Sequence, residues 1–577
     1  MTKVDENILR KAQEWLNGAY DEETKASIRH MMENDPQALI ESFYRDLEFG
    51  TGGLRGIMGA GSNRMNKYTV GAATQGFANY LKKNFPDVKQ LKVAIAHDSR
   101  NNSRYFAQVT ADVFSANGIK VYLFDDLRPT PELSFAIRYF RCQGGIVITA
   151  SHNPKEYNGY KAYWDDGGQL ISPHDKNVIE EVQRIKDMAA VKFESNPLLI
   201  ELIGEKVDRV YLKHVASLSL SPEVIQRQKD LKIVYTPIHG TGTRLVPEAL
   251  EAFGFANVHI VEEQAVPDGS FPTVTSPNPE EPAALEMAMK LADKIGADLV
   301  MATDPDADRV GIAVRKDGKL ILLNGNQAAT LLIYYLLEKW HELGKLKGRE
   351  YIVKTIVTTE LLAGIANKYG VEHFDVLTGF KYIVHVIREL EGKKQFIGGG
   401  EESYGYLVGD FVRDKDAVIS CAMLAEVAAW AEDKGLGMHD LLKQIYREFG
   451  FYKEKLISVV RKGKEGAEEI QQMMDNFRSK TPVHFNGSRV VLLKDYLTGK
   501  EKNLLTGEEK QILLPRSNVL QFFTEDGSKI SVRPSGTEPK IKFYFGVKSP
   551  LKNMEDYELI DKELDNKIES IIKDLGV

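Results

Sequence analysis

The sequence predicts an α/β protein built from several domains, three of them related and the last of a different, α+β kind. Three observations lead there. The chain has 577 residues, well beyond the size at which one hydrophobic core keeps growing, so three to four domains are expected. One rhythm recurs three times: a β-rich run, an amphipathic stretch, a second β-run, another helical stretch, and a third β-run that ends in a polar loop. After about residue 450 that rhythm gives way to hairpin spacing.

The first repeat places strands at Leu91–Ala96, Ile119–Phe124 and Gly145–Ile148 and ends at Ser151. The second places them at Leu231–Tyr235, Val258–Val261 and Asp298–Ala302 and ends at Asp304-Pro305-Asp306-Ala307-Asp308-Arg309. The third uses Tyr351–Val353, His373–Leu377 and Gln395–Ile397 and ends at Gly398-Gly399-Gly400-Glu401-Glu402-Ser403-Tyr404-Gly405. Strands alternating with helical stretches imply right-handed βαβ units and largely parallel sheets. Stretches such as 327–343 and 417–434 carry the apolar spacing of helices that cover a sheet. Towards the C-terminus, Val519–Thr524 and Lys529–Val532 flank Glu525-Asp526-Gly527-Ser528 and read as a hairpin. A strand at Lys540–Phe545 and a closing helix near Asp556–Leu575 complete that unit. The expected borders are 1–212, 213–324, 325–450 and 451–577.

Composition narrows the function classes. Residues are 43% hydrophobic and 27% charged, with a formal net charge of -7. A phosphate backbone demands a broad basic surface, so a general nucleic-acid binder is disfavoured, while local arginines can still build a site for a small anion. The two cysteines, Cys142 and Cys421, lie in apolar stretches, which fits core residues in a reducing compartment. The first residues carry acids and no apolar core, unlike a secretory signal. The apolar patch Ala417–Ala425 is halted by Glu426, well short of a membrane span. A soluble, cytoplasmic protein with no nucleic-acid or membrane partner is expected.

Five loops carry chemistry. Thr149-Ala150-Ser151-His152-Asn153-Pro154 follows a β-branched run, so Ser151 should stand in a turn at a strand's carboxyl end, where α/β sheets bind and react. Asp304, Asp306 and Asp308 alternate, so an extended strand end would aim all three carboxylates one way. Three hard oxygen ligands that close repel one another unless a divalent cation sits between them, and Mg²⁺ suits the set. An EF-hand is excluded, because Arg309 and Arg315 stand where its Gly and Glu are required. Arg309 adjoins the cluster and could share a phosphate with the metal.

Arg533-Pro534-Ser535-Gly536-Thr537-Glu538-Pro539-Lys540 lies between two expected strands and combines the guanidinium fork, hydroxyls and glycine of an oxyanion cradle. Gly50-Thr51-Gly52-Gly53-Leu54-Arg55-Gly56 fits neither the dinucleotide nor the Walker pattern, so a nucleotide-dependent kinase is disfavoured and Arg55 reads as one more cation for a phosphate pocket. Glu401, Glu402 and Ser403 are suited to gripping vicinal sugar hydroxyls. His239 and Lys381 occupy similar strand-end positions, His239 with no acid-base partner adjacent in sequence and so of structural character.

In this order the motifs resemble the α-D-phosphohexomutase superfamily of phosphoglucomutases, phosphomannomutases and relatives, over nearly the whole chain. The resemblance implies four domains around a central cleft, three of mixed α/β topology and a smaller C-terminal one. It implies Ser151 as the phosphoserine, which with Asp304, Asp306 and Asp308 holds Mg²⁺. Glu401, Ser403 and Lys381 would bind the sugar, and Arg533, Ser535, Gly536 and Thr537 its non-reacting phosphate. Arg55, Lys161 and Arg309 would surround the moving phosphoryl group. The implied activity is interconversion of glucose 1-phosphate and glucose 6-phosphate, with glucose 1,6-bisphosphate as intermediate and activator, in a monomer or weak homo-oligomer. Lys161, among other cations and therefore expected to have a lowered pKa, is the candidate for proton transfer, with His152 as the alternative.

The Gly379-Phe380-Lys381 and Glu401-Glu402-Ser403-Tyr404 loops look most like the longer bacterial phosphoglucomutases and the animal phosphoglucomutase-2 or phosphopentomutase branch. Pentose or mannose phosphate on the same mechanism, and glucose 1,6-bisphosphate synthesis, are the sister readings. A rival enzyme reading is a haloacid-dehalogenase-type phosphatase or mutase using Asp304 and Asp306, which Asp308 disfavours, and the non-enzyme reading is a catalytically silent sugar-phosphate-binding paralogue.

Overall fold

The computed structural model describes residues 4–49, 53–461, 463–535 and 540–577. They form two compact units, one holding the described residues of Met1–Leu323, Val384–Gly392 and Ser403–Lys434, the other Asn324–Ile383, Lys393–Glu402 and those of Gly435–Val577.

The first unit contains two sheets. In one, strands run in the order Gly53–Ile57, Tyr157–Trp164, Gly144–Ile148, Lys92–His97, Lys120–Phe124, Ile200–Ile203. The other runs Lys319–Leu323, Val310–Lys316, Leu299–Thr303, Ile233–Thr236, Val258–Ile260. Inner strands pair in parallel, as the repeated rhythm requires. The expectation of largely parallel sheets nonetheless needs correction, because each sheet closes on antiparallel strands. Gly144–Ile148 is followed by antiparallel Tyr157–Trp164, and Leu299–Thr303 by antiparallel Val310–Lys316. The cause is loop length: a parallel crossover needs about a dozen residues or more, and the links 149–156 and 304–309 are too short for one. The serine loop and the acidic loop are therefore these two tight returns at the ends of parallel strands.

Phe77, Ile95, Ile146, Ile148 and Tyr160 belong to the core that fixes the first sheet. Three helices that the repeat pattern did not foresee, Glu6–Asn17, Glu22–Asn34 and Pro36–Phe43, are each capped by an aspartate, Asp5, Asp21 and Asp35. They bury Trp15, Ile28 and Phe43 against Tyr68. The helix Ala417–Glu432 is apolar on nearly every face and accordingly buried almost throughout.

In the second unit, strands Glu350–Thr355, Glu372–Val376 and Gln395–Gly400 pair in parallel. The C-terminal domain is an antiparallel sheet in the order Phe451–Val460, Lys540–Ser549, Lys529–Pro534, Leu520–Thr524, Ser488–Asp495, Lys500–Asn503, Glu509–Gln511. Helices Gly463–Ser479 and Tyr557–Leu575 pack against it. The expected hairpin is present, with Phe523 opposite Lys529. Among the described residues no helix is long and apolar enough to cross a membrane.

Candidate active site

Ser151 lies just past the fully buried strand Gly144–Ile148, in a turn where its own φ is 52°. Left-handed backbone is costly for a residue with a Cβ, so something must hold it. The Ser151 amide donates to Thr149 Oγ1 at 2.8 Å. Arg100, buried at 3% exposure, donates to the carbonyls of Ser151 at 2.7 Å, Pro154 at 2.9 Å and Tyr157 at 3.1 Å. The Asn153 carbonyl is a fourth acceptor. Arg100 faces Asp98, Nε to Oδ2 at 3.4 Å. One guanidinium thus staples the whole serine loop. Sequence reasoning missed it, although Asp98-Ser99-Arg100 follows the strand Lys92–His97 in the same strand-end setting as the loops it did single out.

The three aspartates converge, but not on an extended strand end as expected. The strand stops at Thr303, and the chain turns through Ala307 at φ 49° before the next strand begins at Val310. The turn, rather than strand alternation, brings one oxygen of each carboxylate within 4.8 Å of the others. Ser151 Oγ donates to Asp304 Oδ2 at 2.7 Å. Asp304 Oδ1 accepts from the amides of Asp308 at 3.1 Å and Arg309 at 3.0 Å. Lys161 Nζ reaches Asp306 Oδ2 at 2.6 Å and Asp308 Oδ2 at 3.1 Å. Thr130 Oγ1 adds a donor to Asp306 Oδ2 at 2.9 Å. Lys415 Nζ, a second residue that sequence reasoning missed, lies 3.2 Å from Asp308 Oδ2. A Cβ at position 405 would stand 2.1 Å from Lys415 Cδ, so any side chain there would force Lys415 to move.

Asp306 Oδ1 and Asp308 Oδ1 are buried and accept no hydrogen bond. Two orphaned anionic oxygens beside a third carboxylate form a donor set that fits a hard divalent cation such as Mg²⁺. The electrostatics agree. Burial, with Asp306 and Asp308 beside it, pushes the Asp304 carboxyl well up. For Asp308 burial acts the same way, but Lys161, Lys415 and Arg309 outweigh it and hold the group far below the usual carboxylate range.

Lys161 departs from expectation. Burial disfavours its ammonium, yet Asp306 and Asp308 overcome that and hold its pKa above the ordinary lysine value rather than below it. His152 Nδ1 lies 3.2 Å from Ser151 Oγ, and burial together with Arg309 and Arg55 pushes its pKa well down.

Arg55 donates to Asn153 Oδ1 at 3.0 Å, on the serine loop. Arg309 donates to Glu280 Oε1 at 2.7 Å and to the Ser403 carbonyl at 3.2 Å. The first unit therefore gathers Ser151, His152, Lys161, Arg55 and Arg309 around the aspartates. His239 has the structural character expected of it, with Nδ1 on the Val266 carbonyl at 2.9 Å and Nε2 on Thr273 Oγ1 at 2.8 Å.

Ser403 belongs to the first unit as well, and Glu401, Lys381, Arg533 and Ser535 to the second. Glu401 Oε1 accepts from the Gly379 amide at 2.9 Å, which ties the two loops expected to touch the sugar. Lys381 stands at the start of the helix Phe380–Leu390, its Nζ 5.3 Å from the Tyr382 ring centroid. Arg533, on Lys529–Pro534, hydrogen-bonds Tyr544, whose hydroxyl lies in the field of Glu402 and Glu401. The Ser535 amide donates to the Lys540 carbonyl at 2.7 Å. Gly536 and Thr537 lie outside the described residues.

A hydroxyl held on a carboxylate and ringed by fixed cations is suited to carry an anionic group, because charge on that group is met without reorganisation. Comparison with known proteins agrees with this chemistry. Residues 46–189, 209–318 and 324–449 match the family descriptions "Phosphoglucomutase/phosphomannomutase, alpha/beta/alpha domain" I, II and III, and residues 457–558 match its C-terminal domain. A protein of Staphylococcus haemolyticus named phosphoglucomutase is 38% identical over 533 residues, covering 92% of this chain and 94% of its own length. One of Staphylococcus aureus with the same name is 38% identical over 542 residues, covering 93% and 95%. Among solved structures, a putative phosphomannomutase from Thermus thermophilus superposes with a TM-score of 0.66 at 22% identity, covering 92% of this chain and 98% of its own. The open form of the Paramecium phosphoglucomutase parafusin gives 0.67 at 17%, covering 92% and 96%, a likeness of fold. With matches to all four family domains and near-full-length relatives well above 30% identity, the chain belongs to the phosphoglucomutase/phosphomannomutase family.

Proposed function

We propose that the protein interconverts glucose 1-phosphate and glucose 6-phosphate through a phosphorylated Ser151 and a glucose 1,6-bisphosphate intermediate. The observation that carries the reading is the hydrogen bond from Ser151 Oγ to Asp304 Oδ2 at 2.7 Å, beside Lys161 at 2.6 Å from Asp306. The name borne by the Staphylococcus relatives supports glucose as the sugar.

Starting from glucose 1-phosphate, the bond from phosphorus to Ser151 Oγ breaks as one to the sugar O6 forms. The O6 proton passes to the protein; Lys161, held as an ammonium between Asp306 and Asp308, has no room for it, so the assigned acceptor is His152, kept neutral beside the serine. After the bisphosphate turns around, the bond from its phosphorus to O1 breaks as one to Ser151 Oγ forms, the proton taken from O6 passes to O1, and glucose 6-phosphate leaves. Arg55 and Arg309 meet the charge on the moving group with fixed guanidiniums. Asp304, Asp306 and Asp308, joined by the serine phosphate, would hold Mg²⁺, which supplies electrostatic stabilisation of phosphate oxygens. Glu401, Ser403 and Lys381 bind the sugar, and Arg533 and Ser535, with Gly536 and Thr537, bind the phosphate that is not being transferred. The division at 1–212, 213–324, 325–450 and 451–577 then separates the roles by domain, with the carrier, the metal, the sugar and the distal phosphate held in turn.

A coupled assay comparing glucose 1-phosphate, mannose 1-phosphate and ribose 1-phosphate, with and without Mg²⁺ and glucose 1,6-bisphosphate, tests this. The expected result is the highest kcat/KM for glucose 1-phosphate, dependent on Mg²⁺ and stimulated by the bisphosphate. Preference for the mannose or ribose compound would reassign the substrate.

A further inference from the structure

His239 takes no part in the proposed chemistry, yet it and its neighbour Ile238 hold left-handed backbone, at φ 59° and 44°. Such backbone persists in residues with a Cβ only where the surroundings over-determine it. Both ring nitrogens of His239 are engaged by one segment: Nδ1 donates to the Val266 carbonyl at 2.9 Å, and Nε2 pairs with Thr273 Oγ1 at 2.8 Å. The His239 amide donates to the Gln264 carbonyl at 2.8 Å, and its carbonyl accepts from the Asp268 amide at 3.2 Å. Gln264, fully buried, accepts from Thr236 Oγ1 at 2.6 Å and donates Nε2 to Thr273 Oγ1 at 2.9 Å. The turn 266–273 is therefore fastened at both ends to one strand-end histidine and its neighbours.

That turn reaches the serine loop. At Gly269 it lies so close to the segment after Lys92–His97 that an added Cβ would stand 2.2 Å from the Asn101 amide nitrogen. Two residues on, Phe271 is 2% exposed and again left-handed, at φ 46°. Its ring meets the Arg100 guanidinium, whose Cζ lies 5.0 Å from the ring centroid. Arg100 holds the Ser151 loop through its two terminal nitrogens, while its Nε makes no hydrogen bond. Asp98 stands 3.4 Å from that Nε, and the Phe271 ring presents its electronegative face to the same cation. Burial pulls the Arg100 pKa down, so each group that favours its charge counts for more.

We propose that Phe271, held on its turn by His239, is a positioning residue for phosphoryl transfer, seating the Arg100 guanidinium and thereby keeping Ser151 in its left-handed, transfer-ready geometry. This rests on the proposed function, which takes Ser151 as the phosphoryl carrier. Phe271 and the three aspartates belong to the stretch that matches the second family domain, and Arg100 and Ser151 to the stretch that matches the first. The Phe271–Arg100 contact thus ties the serine loop to the domain of the acidic loop a second time, besides the hydrogen bond from Ser151 to Asp304. It touches no sugar subsite, so its loss falls on kcat and not on KM.

The test measures kcat and KM for glucose 1-phosphate, and the rate at which glucose 1,6-bisphosphate phosphorylates Ser151 by intact mass. It compares wild type, Phe271→Leu, Arg100→Lys and the double variant. F271L keeps an apolar side chain but has no π face, and should lower kcat and the phosphorylation rate about tenfold at unchanged KM, the scale of a desolvated cation–π contact. In the R100K background F271L should cost less than about twofold more, because the loop that Phe271 steadies through Arg100 is already released. Gly269→Ala leaves Phe271 in place but forces its turn away from Asn101. It should act in the same direction, and it carries the test should F271L not fold. Wild-type kcat in the folded variants, a rise in KM at constant kcat, or a loss in F271L that multiplies in full with that of R100K overturns the inference alone. A wild type that takes no phosphate on Ser151 overturns the functional reading and the inference with it.

Discussion

The hydroxyl of Ser151 donates to Oδ2 of Asp304 at 2.7 Å, across 153 positions of sequence. A serine seated on a carboxylate of the acidic loop places its phosphate beside the residues that would hold a cation. Its partner Asp304 has its pKa pushed up by burial and by its two neighbours, the setting in which a divalent cation would favour the ionised carboxylate.

Replacing the carrier is the most direct check. Ser151→Ala leaves the fold intact, because the side chain it removes makes only polar contacts to His152 and Asp304. Mutase turnover should fall by roughly 10⁴- to 10⁶-fold, the scale seen when a nucleophile is deleted. Wild-type protein incubated with glucose 1,6-bisphosphate should gain the mass of one phosphate, mapped to Ser151 and stable to hydroxylamine. Near-normal turnover by S151A, or a hydroxylamine-labile phosphate on an aspartate, would sink the assignment.

The orphaned Oδ1 atoms of Asp306 and Asp308 give a thermodynamic readout that does not depend on turnover. A cation that binds only the folded state stabilises it by RT ln(1 + [L]/Kd), about 2.7 kcal/mol at 100 times Kd. Mg²⁺ should therefore raise the melting temperature of EDTA-treated protein, and Asp306→Asn should abolish most of that rise while leaving Lys161 paired with Asp308 at 3.1 Å. An equal rise in the variant would place the cation elsewhere.

Arg100 makes a different prediction, since it touches the loop rather than the reacting atoms. A lysine cannot span carbonyls on both sides of the turn as the guanidinium fork does. Arg100→Lys should lower kcat by about 10- to 100-fold with little change in KM, because the serine would leave its left-handed geometry while the sugar subsites stay as they are. A rise in KM at constant kcat would show that the staple serves binding instead.

How far such residues can be read in advance follows from the range of the interaction involved. Ser151 was legible because a β-branched run and an Asn-Pro turn are local signals, and the aspartates because their spacing is unusual. Their manner of convergence was not, since it depends on Ala307 adopting a left-handed backbone that an alanine gives no warning of. The pairing of Lys161 with Asp306 spans 145 positions and reverses the sign of its expected pKa shift. Arg100 and Lys415 are ordinary basic residues in sequence. Only tertiary neighbours, respectively four carbonyls and Asp308, distinguish them from cations on a solvated face. The antiparallel strands were hidden for a related reason: a β-run looks the same whichever way its partner points, and only the shortness of the returning loop decides the direction.

The last prediction concerns pH and stability. Asp416 is fully buried, caps the helix Ala417–Glu432 by accepting from the Ile419 amide at 2.9 Å, and accepts from Tyr211 Oη at 2.7 Å. Asp414 is the like charge nearby, and Glu132 and Cys421 face the same Tyr211. Burial raises the Asp416 pKa from 3.8 to about 7, against the pull of its hydrogen bonds. The unfolded chain releases this proton near pH 3.8 and the folded protein only near 7. Between those values the native state binds the extra proton, so its stability falls as pH rises, by at most about 1.4 kcal/mol per unit, and levels off above the folded value. Asp416→Asn cannot ionise, so its melting temperature should gain on wild type steadily from pH 4.5 to 7 and run parallel to it above that. A melting-temperature difference that stays constant over the whole range would mean that Asp416 is already ionised in the folded protein at low pH, with its carboxylate stabilised by the helix amides and Tyr211 more strongly than burial opposes it.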